Sequence, residues 1–128
     1  MSRVLSILFI TSLLHLEAVQ WMSLEEGLAK AKKSDKLIMM DVIRDGCHFC
    51  SDMDKNVFND KNMSIWIESC FIPVKFNLSQ EKLPNGLKVE VTPTFFFMNE
   101  KLELIKKIEG SWNKQDFTEL SQKLCREN

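Results

Sequence analysis

The sequence predicts an α/β fold: a mixed central sheet with a C-terminal antiparallel hairpin and helices on both faces. Three observations carry that expectation. Short, nearly unbroken apolar runs alternate with stretches of helical periodicity, as strands do when helices cover both faces of their sheet. A later apolar run, 95–98, is separated from its returning hairpin partner, 102–108, only by Asn99-Glu100-Lys101, which is hairpin spacing. A length of 128 residues with 45% hydrophobic content suits one compact core and leaves little for a second.

Ser23-Leu24-Glu25-Glu26 opens the first helix with a capping-box pattern, a hydroxyl residue followed three positions later by Glu. Leu24, Leu28 and Ala31 recur at helical spacing until Lys32-Lys33-Ser34-Asp35 breaks the stripe. Residues 37–43 read as a strand buried on both faces, interrupted by a single acid, Asp41. Arg44-Asp45-Gly46 turns the chain into a helix predicted from Cys47 to about Asn59, with Met53, Val57 and Phe58 facing inward. A helix around 63–69 leads to a second strand over 71–77. Over 83–89 the pattern is a weak helix or turn, disrupted by Pro84-Asn85-Gly86. The β-favouring run 95–98 follows Thr92-Pro93-Thr94, and 102–108 returns as its hairpin partner. Gly110 ends that strand, and an amphipathic closing helix runs from Asn113 to about Leu124, carrying Phe117, Leu120 and Leu124.

The first residues read differently. Met1-Ser2-Arg3 supplies one positive charge and 4–14 is an almost unbroken apolar run. That run is short of the roughly 20 residues a bilayer span needs, but it fits the apolar region of a secretory signal peptide. Leu16-Glu17-Ala18 offers a cleavage site. The expectation is a signal peptide over 1–20, a domain over 21–128, and export to the periplasm or beyond the cell. The alternatives are an uncleaved anchor, through which alone the protein would meet a membrane, and a buried first helix.

Formal net charge is −1, so no basic excess neutralises phosphates and nucleic acid is not an expected partner. Four cysteines remain after the apolar segment: the close pair Cys47 and Cys50, and the distant Cys70 and Cys125. A Cys-x-x-Cys entering a helix after a buried strand is a redox signal with a mechanism. The first sulfur lies where free backbone N–H groups and the positive end of the helix dipole stabilise a thiolate. The second lies one turn on, on the same face, placed to attack a mixed disulfide. Cys47 is therefore the expected nucleophile and Cys50 the resolving cysteine. His48 between them adds positive charge beside Cys47, or is only a solvent-facing polar residue. Asp45 disfavours a thiolate, or serves as a turn or cap residue. Metal binding is the rival chemistry, yet Cys47, His48 and Cys50 lack the fourth ligand and second ligand pair of a structural zinc site. No metal and no bound cofactor are expected.

From Ser23 to Leu124 the sequence resembles the thioredoxin family. Asp41, six positions before Cys47 in an apolar strand, is similar to the buried acid that the family uses as a proton shuttle for its resolving cysteine. Desolvation in such a strand would raise its pKa and let it accept a proton near pH 7; the alternative is a solvent-facing Asp41 on an edge strand. Thr92-Pro93 resembles the family's cis-proline loop, which faces the cysteines and pairs with substrate backbone. Thr92, Pro93, Gly46 and Phe49 are accordingly the expected substrate-binding positions. Val74-Lys75-Phe76-Asn77 resembles the family strand whose lysine contacts the buried acid, and Gly110 occupies the place of a family glycine before the closing helix. The stretch from Cys50 to Asp60, with Met53 and the Val57-Phe58 pair, resembles exported members such as the C-terminal domain of the DsbD electron carrier. Gly46 replaces the usual Trp, and His48-Phe49 replaces the usual Gly-Pro, so the resemblance implies a more oxidising couple than thioredoxin itself.

The family topology also implies a second pairing, Cys70 with Cys125, at the end of the sheet remote from Cys47; otherwise Cys70 is an ordinary buried apolar residue. The function expected is dithiol–disulfide exchange with exported proteins that carry cysteines. It requires an upstream thiol–disulfide electron donor or acceptor, and reduction, oxidation and isomerisation all remain open. The competing expectation is a thioredoxin-like binding or chaperone module whose Cys47–Cys50 disulfide is structural.

Overall fold

A computed structural model describes residues 18–84 and 86–126. All but the last three positions of the expected signal segment lie outside the described residues, as does Asn85 of the 83–89 stretch. Helix α1 (Leu24–Ala31) starts at Ser23, whose hydroxyl accepts the Glu26 N–H at 3.2 Å. Strand β1 (Leu37–Ile43), helix α2 (His48–Met53), helix α3 (Lys61–Cys70) and strand β2 (Phe71–Asn77) follow. The hairpin of β3 (Thr94–Met98) and β4 (Leu104–Glu109) precedes α4 (Lys114–Ser121), which ends in a 3-10 turn, Gln122–Leu124.

The sheet order is β2-β1-β3-β4; β1 runs parallel to β2, and β3 is antiparallel to both β1 and β4. Strand β1 is therefore flanked on both edges, and its alternation feeds two cores. Leu37 and Met39 join Met53 of α2, Ile67 of α3 and Phe117 of α4 on one face. Ile38, Met40 and Val42 join Ala31 of α1 on the other. Asp41 shares the face of Leu37 and Met39, beneath α2. Rings of Phe58, Phe95 and Phe117 meet edge to face there, with centroids 5.1–5.8 Å apart. On the opposite face Gly27 lets α1 approach β2, since a Cβ at that position would stand 2.4 Å from Cγ2 of Val74.

Three local features depart from the sequence pattern. The helix predicted as one piece is α-helical only to Met53 and continues as a π-helical turn, Asp54–Phe58, closed by the Asn59 N–H on the Asp54 carbonyl at 2.8 Å. At about 100° per residue Phe58 would lie about 140° round from Met53. The wider turn brings it back, so Met53, Val57 and Phe58 are all buried. Strand β4 begins at Leu104 instead of 102. Leu102 takes a left-handed φ of 61°, and the Asn99 side-chain oxygen accepts the N–H groups of Lys101 and Glu103. Finally, Met22 adds a parallel bridge outside β2, donating to the Pro73 carbonyl and accepting from the Lys75 N–H, both at 3.1 Å.

Candidate active site

The site begins where β1 hands the chain to α2. Gly46 makes that turn with φ +70°, a left-handed conformation that side chains disfavour. Asp45 fixes the loop from the other side: its N–H donates to the Ser79 hydroxyl at 3.0 Å and its carboxylate accepts from the Asn77 amide at 2.9 Å. Cys47 is the N-cap of α2, and its Sγ accepts the Cys50 N–H at 3.1 Å. The two cysteines are joined, with Cα atoms 5.3 Å apart. Cys47 is half-buried, whereas Cys50 is only 6% exposed.

Thr92 faces them from the loop before β3. The Thr92–Pro93 peptide is cis, and the Gly110 N–H donates to the Pro93 carbonyl at 2.8 Å, tying that loop to the end of β4. The Thr92 hydroxyl donates to Cys47 Sγ at 3.2 Å. Cys47 Sγ thus has two donors, a backbone N–H and a hydroxyl, together with the helix N-terminus. Each favours an anionic sulfur once the bond is reduced. Nothing in the sequence around Thr92 announces its hydroxyl as a partner of Cys47; the contact exists because the cis-proline loop folds back over α2.

His48 and Phe49 point outward. The His48 ring is 81% exposed and pairs with Asp52, Nε2 to Oδ2, at 3.3 Å. The ring lies in well-solvated surroundings beside a carboxylate, where any field it exerts at Cys47 is screened. Phe49, 60% exposed, borders a 390 Å³ recess with Arg44, Val91, Thr92 and Gly110. A second recess of 470 Å³ is lined by Gly46, both cysteines, Ser51 and Asp54.

Asp41 is 1% exposed on the inner strand β1. Burial pushes its carboxyl up to about 7, against the opposing attraction of Lys75, while the nearby Asp54 adds a smaller upward push. Oδ2 lies 3.5 Å from Lys75 Nζ, and Oδ1 has no hydrogen-bond partner among the described residues. Lys75 is the register partner of Asp41 on β2. Its ammonium also binds Asp54 Oδ1 at 3.0 Å and lies 4.4 Å from the centre of the Trp21 ring. Asp54 follows Cys50 by four residues, so the two share a helix face that leans on this cluster. That spacing is a signal the sequence offered for Asp54. Trp21 offered none beyond its residue type, because the Met22 bridge to β2 is what carries it there.

At the other end of α3, Cys70 is fully buried and joined to Cys125, with Cα atoms 4.6 Å apart. Among the described residues no group of three or more His, Cys, Asp or Glu side chains is placed to hold a metal ion.

Residues 24–124 match a family model described as a thioredoxin-like domain. None of the curated proteins matches the sequence. Among solved structures, a thioredoxin from Thermus thermophilus superposes with a TM-score of 0.69 at 23% identity, over 84% of this chain and 87% of that one. The C-terminal domain of DsbD from Neisseria meningitidis, in its oxidised form, gives a TM-score of 0.61 at 16% identity, covering 77% of this chain and 90% of that one. The periplasmic thioredoxin SoxS from Paracoccus pantotrophus gives 0.56 at 20%, covering 70% and 95%. At these identities the likeness is one of fold.

Proposed function

The chain belongs to the thioredoxin-like family, its fold and Cys47–Cys50 disulfide fit a thiol–disulfide oxidoreductase, and from that premise we propose that it exchanges disulfides with exported proteins. One observation carries the proposal. The two sulfurs are chemically unequal, Cys47 half-buried with two hydrogen-bond donors on its Sγ and Cys50 buried one turn behind it.

In the reducing direction the Cys47 thiolate attacks one sulfur of a substrate disulfide. The substrate S–S bond breaks, a Cys47–substrate mixed disulfide forms, and the other substrate sulfur leaves as a thiolate. Cys50 then gives its proton to Asp41 and attacks Cys47 Sγ. The Cys47–Cys50 bond forms, the mixed disulfide breaks, and the substrate departs with both sulfurs reduced. Two electrons pass from the protein dithiol to the substrate, and an upstream thiol–disulfide donor restores them. Run backward, the same steps oxidise a substrate dithiol and hand the electrons to an acceptor; the partner's potential sets the direction. Phe49 and Thr92, which line one recess, and Pro93 of the cis loop make the substrate rim in this reading, beside the recess lined by Gly46 and both cysteines.

Support for Asp41 as the proton acceptor comes from its place beneath α2 and from a carboxyl that titrates near neutrality. Export draws support from the apolar segment 4–14, from the joined Cys70 and Cys125, a pairing that persists in oxidising compartments, and from the periplasmic thioredoxin of like fold. Insulin reduction by dithiothreitol tests the chemistry. The wild type should accelerate it, Cys47→Ser should not, and Cys50→Ser should accumulate a mixed disulfide visible by mass spectrometry. A Cys47→Ser protein as active as wild type would leave a binding module with a structural disulfide. Cell fractionation with N-terminal sequencing of the mature product tests export.

A further inference from the structure

The family match begins at residue 24, yet Trp21, ahead of it, lies over the Lys75 ammonium that neighbours the buried Asp41. Met22 bridges to β2 on both sides of Val74, and Val19 donates its N–H to the Phe58 carbonyl at 3.1 Å. The segment 19–22 is thus strapped between the outer edge of the sheet and the end of the π-helical turn. Between these two anchors Trp21 packs edge-on against Phe58, centroids 4.9 Å apart, and places its ring 4.4 Å from the Lys75 ammonium. Lys75 then has three neighbours: Asp54 Oδ1 at 3.0 Å, Asp41 Oδ2 at 3.5 Å and the ring.

We propose that Trp21 is a positioning residue for disulfide exchange, a π-face that caps the Lys75 ammonium and holds it between Asp41 and Asp54. The proposal rests on the reading of Asp41 as proton acceptor. The physics is that of a cation over an indole face, the strongest of the aromatic partners for an ammonium. Without the ring, Lys75 keeps its shorter contact to Asp54, whose carboxylate is 41% exposed, and is free to follow it toward water. Asp41 is fixed in the strand and cannot follow. The charged groups facing Asp41 are Lys75 from β2 and Asp54 at the C-cap of α2; Cys50, four residues before Asp54, shares its helix face. Phe95, opposite Asp41 on β3, and Trp21 bring no charge. Withdrawing Lys75 therefore removes the cation that favours ionised Asp41, and Asp41 keeps its proton to higher pH.

The test is a carbon-detected NMR titration of the Asp41 carboxyl in the oxidised full chain, where the sulfurs do not titrate. Trp21→Leu keeps an apolar cover and loses the π-face, and should move the Asp41 midpoint upward by about half a pH unit. Trp21→Phe should stay close to wild type. Coincident curves for all three proteins, a downward shift, or equal displacement in both variants overturn the proposal. A readout that needs no variant guards against misfolding. The Lys75 methylene protons next to Nζ should be shifted upfield of those of the other lysines by the indole ring current, and unshifted resonances also overturn it. In parallel, single-turnover exchange is followed against pH for wild type, Trp21→Leu and Asp41→Asn. If the Trp21→Leu titration moves but Asp41→Asn exchanges at the wild-type rate at every pH, the cap stands and the proton-acceptor reading falls. If Asp41→Asn abolishes the pH dependence and the Trp21 curves coincide, the reverse holds.

Discussion

Single residues decide the chemistry, and two of them invite direct measurement. Cys47 carries the open, hydrogen-bonded sulfur and Cys50 the closed one. Reduced protein should take up one equivalent of iodoacetamide near neutral pH, at Cys47, with Cys50 protected; peptide mapping of the alkylated protein checks this. Equal labelling would remove the assignment of roles. Asp41 makes a prediction about stability. Its folded pKa of about 7 lies above the model-peptide value of 3.8. Between these values the folded state holds a proton that the unfolded state has lost, so the contribution of Asp41 is complete below about pH 4 and disappears as pH rises through 7. The three-unit displacement corresponds to an effect on the order of 4 kcal/mol. Asp41→Asn should therefore have a urea midpoint close to wild type at pH 4 and a clearly higher one at pH 8. Parallel midpoints at all pH values would show that Asp41 is not a desolvated acid.

At the scale of elements, the spacing of side chains sets how closely the layers pack. Helix α1 reaches β2 because Gly27 has no Cβ, and the atom that a Cβ would meet belongs to Val74, a stiff β-branched side chain inside the sheet. Gly27→Ala gains helix propensity worth about 1 kcal/mol, but overpacking costs typically about 1–3 kcal/mol. At a separation of 2.4 Å the clash wins. The variant should unfold at lower denaturant than wild type, by about 1–2 kcal/mol, with exchange activity retained because the opposite face holds the cysteines. A more stable Gly27→Ala protein would mean that α1 can shift away from the sheet at little cost. The π-helical turn after α2 works in the other sense, by adding room. It lets Val57 and Phe58 both enter the core without moving Cys50, which lies one turn earlier.

For the whole molecule, the question is what holds the closing helix against the rest. Cys70 and Cys125 lie 55 positions apart and join the end of α3 to the chain just past α4. Closing a loop of that length stabilises a fold by about 4 kcal/mol through the entropy of the unfolded chain. The double variant Cys70→Ala, Cys125→Ala should lose stability of that order in urea unfolding. Its insulin-reduction activity per folded molecule should match wild type, since neither residue approaches Cys47. Stability unchanged by the double variant would show that the core under α4, led by Phe117, suffices by itself.

Local chemistry is what the sequence determined. The apolar runs of β1, β2 and β3, the cap at Ser23, and a cysteine pair spaced one helical turn apart all depend on neighbours within a few residues. Backbone periodicity fixes such relations before any long-range contact forms. The suspicion that Asp41 is buried was also legible, because an acid has little reason to stand in an apolar strand. The tertiary structure alone decided that β1 lies between β2 and β3, and so which face Asp41 occupies; it set Lys75, whose contact with the acid the family resemblance implied, directly opposite Asp41 in register. It alone brought the Thr92 hydroxyl to Cys47 across 45 positions and Trp21 to Lys75 across more than 50. Contacts of that kind depend on strand order and register, which come from the simultaneous packing of both sheet faces; no window of neighbouring residues contains that information.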